Sequence, residues 1–366
     1  MTQTPETISY FPKVVPADRL STIRVAVLEP SPPFDSSDSY EVAAYPMEET
    51  AGQLHAESKK AVKTWCADGS LFLSHEFISE QEHLLKIEKI SACGRQPIGE
   101  IRIYSLSKDL YALRPFKGDF HMHSSQSDGK EPPAHVAAAC RRIGLDFMAL
   151  TDHRKHAPSL EAIAAFESVP LDIMMFPGEE VHSPGNRVHI INFGGRFGIT
   201  PFFADEEAFR ALVQQRGRKL KNKLEPREKE QYAASVWCYD KIREAGGLAI
   251  FCHPYWVERE RYNVSEPLIA QHFEDCLFDA YEVIGGFHRH QIESNCLQVA
   301  RYHEERAKGK KIPIVGVSDA HGCESGELFG WYYTVLFAEC LQLPDIVRSV
   351  KSLQSVAVEA LPGEAP

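Results

Sequence analysis

Six segments in the second part of this 366-residue chain repeat one pattern, in which a short apolar run meets a histidine or a carboxylate. Phe147–Thr151 delivers Asp152-His153, Phe176-Pro177-Gly178 leads into Glu179-Glu180, and His189 opens a run that continues to Phe193. Leu248–Cys252 stops at His253, Val315-Gly316-Val317 precedes Ser318-Asp319-Ala320-His321, and Gly118–Met122 carries His121 and His123 two residues apart. Residues i and i+2 of a strand share a face, so that last pair sets two imidazoles side by side. The runs alternate with stretches of helical periodicity, which predicts a parallel sheet or barrel wrapped by helices. In such folds the C-terminal ends of the strands converge, and chemistry placed there is brought to one region.

Upstream of about residue 113 the texture differs. Thr22–Leu28, Tyr40–Tyr45, Ala61–Cys66, Ser70–Phe77, His83–Ile90 and Ile98–Leu106 are short and alternate with period two, which predicts antiparallel strands. Ala67-Asp68-Gly69-Ser70 supplies the Asp-Gly turn of a hairpin. A chain of 366 residues also exceeds the ~250–300 at which single cores stop growing. We expect an N-terminal β-sandwich-like domain over 1–113 and an α/β domain over 114–366, with a helical insertion at about 196–245.

Composition narrows the function. A net charge of −11 repels polyanions and argues against broad coating of nucleic acid or membrane, leaving at most a short nucleic-acid end or a nucleotide. The first twenty residues lack an apolar core, and no run reaches the ~18 apolar residues of a spanning helix. The chain therefore reads as cytoplasmic. Nine cysteines without a C-x-x-C pair suit reduced thiols better than a disulfide framework or a zinc finger. Histidine is the outlier, since thirteen of sixteen fall between His121 and His321. Nothing in the sequence specifies an oligomeric state.

The donors that converge are His121, His123, Asp128 in Ser127-Asp128-Gly129, His153, a carboxylate of Glu179-Glu180, His189, His253, Asp319 and His321. Any one could be a strand-end cap or a solvated turn residue, but six such endings agreeing by chance is improbable. Imidazole and carboxylate without thiolate suit divalent zinc, manganese or iron, and nine donors exceed the needs of one tetrahedral ion. A polynuclear centre is implied, and such centres clamp the oxygens of a phosphoryl group during in-line displacement.

In the order H-x-H, S-D-G, T-D-H, P-G-x-E, strand histidine, C-H-P and S-D-A-H, the chain resembles the PHP superfamily, the polymerase and histidinol phosphatase type of metal-dependent phosphoesterase. The resemblance spans about residues 115–325 and leaves out the N-terminal sheet. It implies a distorted seven-stranded (β/α) barrel holding up to three divalent ions (Mn, Zn or Fe). By that resemblance, His121, His123, Glu180 and Asp319 surround one ion, and Glu180 bridges to a second held by His189 and His253. Asp128, His153 and His321 hold the third, with Asp128 standing where some members have histidine. Glu180 is preferred to Glu179 because the family pattern leaves one variable residue after Pro-Gly. The implied reaction is hydrolysis of a mono- or diester of a small phosphorylated molecule by a metal-activated hydroxide.

Asp152 is expected to orient a histidine or a water rather than bind metal, with helix capping as the plainer role. Arg154 and Arg289 are candidate phosphate contacts, a solvated charge being the plainer reading of each. The basic tract Arg216–Lys223 could greet an anion or simply end a helix. An amidohydrolase also begins with H-x-H but typically ends in a lone aspartate, unlike Asp319-Ala320-His321. A zincin protease is disfavoured, because His303-Glu304-Glu305 lacks the second histidine of H-E-x-x-H, and no P-loop occurs. A non-catalytic metal-binding regulator is the remaining alternative, and intact donors at all nine positions argue against it.

Overall fold

The computed structural model describes residues 8–28, 32–48, 59–169, 171–258, 260–286, 293–324 and 329–360. The chain divides into two compact units, Met1–Leu113 and Arg114–Pro366.

The first unit is built from β1 (Ile8–Phe11), β2 (Val14–Pro16), β3 (Leu20–Val27), β4 (Ser39–Pro46), β5 (Lys60–Ala67), β6 (Ser70–Glu76), β7 (Gln81–Ser91) and β8 (Gly94–Leu106). They hydrogen-bond in the order β1-β3-β6-β5-β4-β7-β8-β2. All neighbours are antiparallel except the short edge pair of β2 and β8. Asp68 and Gly69 both adopt positive φ, +48° and +70°, so the β5–β6 turn has the geometry that only such residues take easily. Ile23 and Val25 on β3 share a core with Leu85 and Ile87 on β7 and Ile101 and Ile103 on β8. Strands four or more places apart in a sheet cannot touch unless it folds back, and the backbone N–H of Arg102 on β8 does donate to the Tyr10 hydroxyl on β1, 3.5 Å away. The eight strands thus form one sheet closed over its own apolar face.

After a one-turn helix α1 (Lys108–Tyr111), the second unit contains β9 (Arg114–Asp119), α2 (Pro133–Arg142), β10 (Phe147–Ala149), α3 (Ala157–Ala165), β11 (Met174–Phe176), β12 (Gly178–Val181) and β13 (Ile190–Phe193). Then come α4 (Glu206–Lys219), α5 (Pro226–Glu244), β14 (Leu248–Phe251), the small hairpin β15 (Val257–Glu258) and β16 (Arg261–Tyr262), and α6 (Glu266–Asp275). The unit finishes with β17 (Ala280–Ile284), α7 (Glu293–Ala307), β18 (Ile314–Gly316), β19 (Tyr332–Ala338), α8 (Leu343–Lys351) and β20 (Ser355–Glu359).

Instead of seven hydrogen-bonded parallel strands, the structure has two five-stranded sheets, β11-β10-β9-β19-β20 and β12-β13-β14-β17-β18. Antiparallel pairs flank the parallel ones in both. The physical reason lies in connection length. Only residues 182–189 join β12 to β13, fewer than the dozen or so that a parallel crossover requires. The sheets curl toward each other around a common core that includes Phe120, Phe147, Phe193, Ile250 and Val315. Alternate residues of β14 serve opposite sides. Leu248 and Ile250 face that interior, while Ala249 and Phe251 pack with Trp237 and Ile242 of α5 and Phe273 of α6. Burial of both faces accounts for the continuous apolar runs in the sequence.

Candidate metal centre

The strand ends are fastened to one another by backbone hydrogen bonds, and those bonds position the donors. Beyond β9, Asp319 N–H donates to His121 O and His123 N–H to Ala320 O, both at 2.9 Å, with a bridge between Met122 and Ala320. Beyond β10, Thr151 N–H donates to Met122 O at 2.9 Å and Arg154 N–H to Glu180 O at 2.9 Å, with a bridge between His153 and Glu180. Cys252 N–H reaches His189 O at 3.3 Å. Asp119, fully buried, accepts from His121 N–H and Ser318 N–H at 3.1 Å and so locks the H-x-H segment beside the S-D-A-H segment. Gly178 lies where a Cβ would come within 2.4 Å of Leu150 O, so the residue leading β12 past β10 has to lack a side chain. Asp319 at φ +46° and Arg154 at φ +58° are held in the left-handed region, a strain that tends to gather at functional sites.

These fasteners bring all nine expected donors into one cluster. His121 Nε2 lies 3.1 Å from His123 Nε2, 3.1 Å from Asp319 Oδ1 and 3.5 Å from Glu180 Oε2. His123 Nε2 lies 3.0 Å from Asp319 Oδ1. Glu180 Oε1 faces His189 Nδ1 at 2.8 Å and His253 Nε2 at 3.4 Å. Asp128 faces His153 Nε2 at 3.2 Å and His321 Nε2 at 3.4 Å. Candidate ligand groups follow the same division: His121 with His123 and Asp319, Glu180 with His189 and His253, and Asp128 with His153, His321 and also His123. The first two groups lie on a buried floor; the third opens outward, Asp128 having 55% side-chain exposure.

Strand alternation separates the two adjacent glutamates. Glu180 points into the histidines, whereas Glu179 accepts from Ile199 N–H at 2.6 Å and Thr200 N–H at 3.1 Å and anchors the start of the insertion. Asp152 departs from its expected role. Its carboxylate accepts from the backbone and hydroxyl groups of Ser124 and Ser127, so it orients the loop that carries Asp128 rather than a histidine. The turn at Ser124–Ser127 leaves N–H groups needing acceptors, and the buried Asp152 carboxylate takes those of Ser124 and Ser127. Arg154 is exposed and borders a cleft of about 530 Å³ with Lys155, Gln126, Thr200 and Pro201. Arg289 lies outside the described residues. Arg216, Arg218 and Lys219 occupy the last turn of α4, where positive charge suits a helix C-terminus.

Two participants had gone unnoticed. Glu282, fully buried in the middle of β17, stands 3.0 Å from His121 Nδ1. His182 Nε2 stands 3.2 Å from Glu180 Oε1 and 3.0 Å from His153 Nδ1. Each left a signal in the sequence, a lone acid inside the apolar run Ala280–Ile284 and a histidine two residues after Glu180.

The electrostatics suit cations. Burial would raise the Glu180 carboxyl, yet His182, His189 and their neighbours hold it well below the ordinary carboxylate range. Burial depresses His189 to about 3 and His123 to about 4, keeping their lone pairs free. Outward, burial is outweighed by Glu180 and Asp128 at His153, raised to about 10, and by Asp128 and Asp319 at His321, raised to about 9. Both Glu180 oxygens and His189 Nδ1 are buried without a hydrogen-bond partner. Donor atoms 2.8–3.5 Å apart match the edges of a polyhedron with ligands at ~2.0–2.2 Å from an ion. By donor chemistry and by these orphaned atoms, the residues fit divalent ions.

No family model matches the chain. Over 66 residues, 18% of its length, it is 39% identical to the DNA polymerase/3'-5' exonuclease PolX of Bacillus subtilis (strain 168), and that segment spans 12% of the polymerase. Among solved structures it is similar to a two-domain protein containing a predicted PHP-like metal-dependent phosphoesterase from Bacteroides vulgatus ATCC 8482. The identity is 19%, with 68% of this chain and 66% of that one covered and a TM-score of 0.46. A protein from Bifidobacterium adolescentis ATCC 15703 assigned as a metal-dependent phosphoesterase gives 20% identity, coverage of 58% and 90%, and a TM-score of 0.39. An amidohydrolase from Chromobacterium violaceum with bound sulfate gives 18% identity, coverage of 68% and 99%, and a TM-score of 0.37.

Proposed function

We propose that the Arg114–Pro366 unit is a PHP-type phosphoesterase that hydrolyses an ester of a small phosphorylated molecule at a centre of up to three divalent ions (Mn, Zn or Fe). The observation that carries this reading is Glu180, a fully buried carboxylate whose two oxygens face histidines on either side with no hydrogen-bond donor of their own. A buried charge so placed is costly unless cations compensate it. The bridges Met122–Ala320 and His153–Glu180 further support reading β9, β10, β12, β13, β14, β17 and β18 as one distorted seven-stranded ring.

In this reading His121, His123, Glu180 and Asp319 hold one ion, Glu180, His189 and His253 a second, and Asp128, His153 and His321 the third. Bound divalent ions supply Lewis acidity toward the phosphoryl oxygens and lower the pKa of water. The chain does the rest. Glu282 accepts the Nδ1 proton of His121 and so leaves Nε2 free to ligate. Asp152 sets the Asp128 loop, and the burial of the floor excludes bulk water from the inner donors. Arg154, next to His153 in the chain and bordering the cleft, offers a bidentate contact for phosphate oxygens.

Metal analysis paired with hydrolysis of p-nitrophenyl phosphate and its bis ester tests the proposal. We expect two to three ions per chain and turnover of at least one ester. A metal-replete protein inert to both esters, or active on an amide instead, overturns it.

A further inference from the structure

A histidine that ligates through one ring nitrogen must have the proton on the other held in place, or the ring loses its orientation and its tautomer. Three of the clustered histidines share an arrangement in which Nε2 faces other donors and Nδ1 faces an acceptor. For His121 the acceptor is Glu282 at 3.0 Å, and for His321 it is the backbone oxygen of Asp319 at 2.9 Å. For His153 it is another imidazole, His182 Nε2, at 3.0 Å. Glu180 Oε2 lies nearer to His153 Nδ1, at 2.6 Å, but is without a hydrogen-bond partner.

We infer that His182 is a positioning residue for the outer cation. Its Nε2 accepts the Nδ1 proton of His153 and so fixes the tautomer whose Nε2 faces Asp128 and His321. The inference rests on the metal-centre reading above and deepens it. Three features suit His182 to this role. It follows β12 two residues after Glu180, so strand alternation points it into the cluster. Its ring stacks on His189 at 3.7 Å between centroids and 17° between planes, which restrains rotation. Its side chain is 14% exposed, so water competes weakly for the contact. The outer site is also the one open to solvent, Asp128 having 55% side-chain exposure, and we expect it to hold the weakest and most exchangeable ion.

Direct ligation by His182, together with His153 and Glu180, is the competing role, and the choice of variant separates the two. Gln places an amide oxygen where Nε2 stands and can still accept a proton; Leu cannot. The full chain, stripped of metal, is titrated with Co²⁺, the ligand-field absorption is followed, and ions per chain are counted. Positioning predicts a third, weaker Co²⁺ equivalent in the wild type, near-wild-type binding in His182→Gln, and a loss of about 10–100-fold in third-ion affinity in His182→Leu. The two floor ions should be untouched. Asp128→Asn should remove the same equivalent, and adding His182→Leu to it should change nothing more. Equal loss in the Gln and Leu variants overturns positioning in favour of ligation, and an intact third equivalent in His182→Leu removes any role. A wild type that takes up two ions and no third also overturns this inference while leaving the phosphoesterase reading standing. A wild type that takes up no metal defeats both.

Discussion

The two units bury polar groups in opposite ways. Among the described residues, the polar groups buried in the N-terminal sheet are Ser70, Gln81, His83 and Ser105, none of them a carboxylate; Ser70 accepts from Arg24 Nε at 3.0 Å and Gln81 Nε2 donates to Ile78 O at 2.7 Å, while Gln81 Oε1 has no partner. His83 Nε2 meets the Ser105 hydroxyl at 2.8 Å, and Ser105 in turn donates to Ser79 O at 2.6 Å. The α/β unit buries Asp119, His121, His123, Asp152, Glu179, Glu180, His253 and Glu282, several of them charged, and leaves the Glu180 oxygens without hydrogen bonds. A core needs no buried carboxylate, and a neutral amide oxygen left unpartnered costs far less than an anion. Unsatisfied buried carboxylates ringed by imidazoles indicate that a cation belongs to the structure.

Substitutions can break that contrast. Glu180→Gln should have the largest effect, lowering turnover of a phosphate ester by about a thousandfold and reducing bound metal, while the sheet unit unfolds as before. Unchanged metal content in that variant would refute the bridge. Leu85→Ala, at a fully buried site in the sheet core, should cost about 3 kcal/mol of that unit's stability with no change in metal per chain. Denaturant unfolding and metal analysis of the same sample check both halves. Glu282→Gln should weaken metal at the His121 site by about 10–100-fold, read by metal titration, because the His121 ring loses its anionic acceptor.

The last effect concerns protons. Burial, with His75 as a lesser cause, lowers His83 to about 4. Between pH 6.5 and 4 the unfolded chain binds a proton that the folded sheet refuses, so stability is full above 6.5 and falls as pH drops. The slope is at most about 1.4 kcal/mol per pH unit from this group. Unfolding titrations of the wild type and His83→Gln should diverge over this window, and parallel curves would show that His83 is not the source.

Much of the fold was legible along the chain. Residue by residue, β17 coincides with the apolar run Ala280–Ile284, and β5 and β6 flank the Asp68-Gly69 turn as turn chemistry demands. Local rules suffice there, since periodicity and φ preference act over a few residues. The edge strands β1 and β2 escaped because four and three residues carry too little alternation to register. The antiparallel course of β12 escaped because β12 and β13 are set by a short loop rather than by their own composition.

Eight of the nine donors were legible because they sit in or beside runs whose residues specify a strand, and Asp128 because the family pattern carries S-D-G. Their partners were not. Glu282, His182 and the serines that hold Asp152 act across separations of 161, 29 and 25 or 28 residues. Taken alone, the sequence determined which side chains would stand at strand ends and that Glu179 and Glu180 would face opposite ways, because alternation is a property of the backbone itself; the choice of Glu180 came from the family pattern. Only the tertiary structure decided which nitrogen of each histidine is presented, what holds its other proton, and how donors divide between a buried floor and an open rim. Those are matters of distance and solvent access between segments far apart in the chain, and no local preference encodes them.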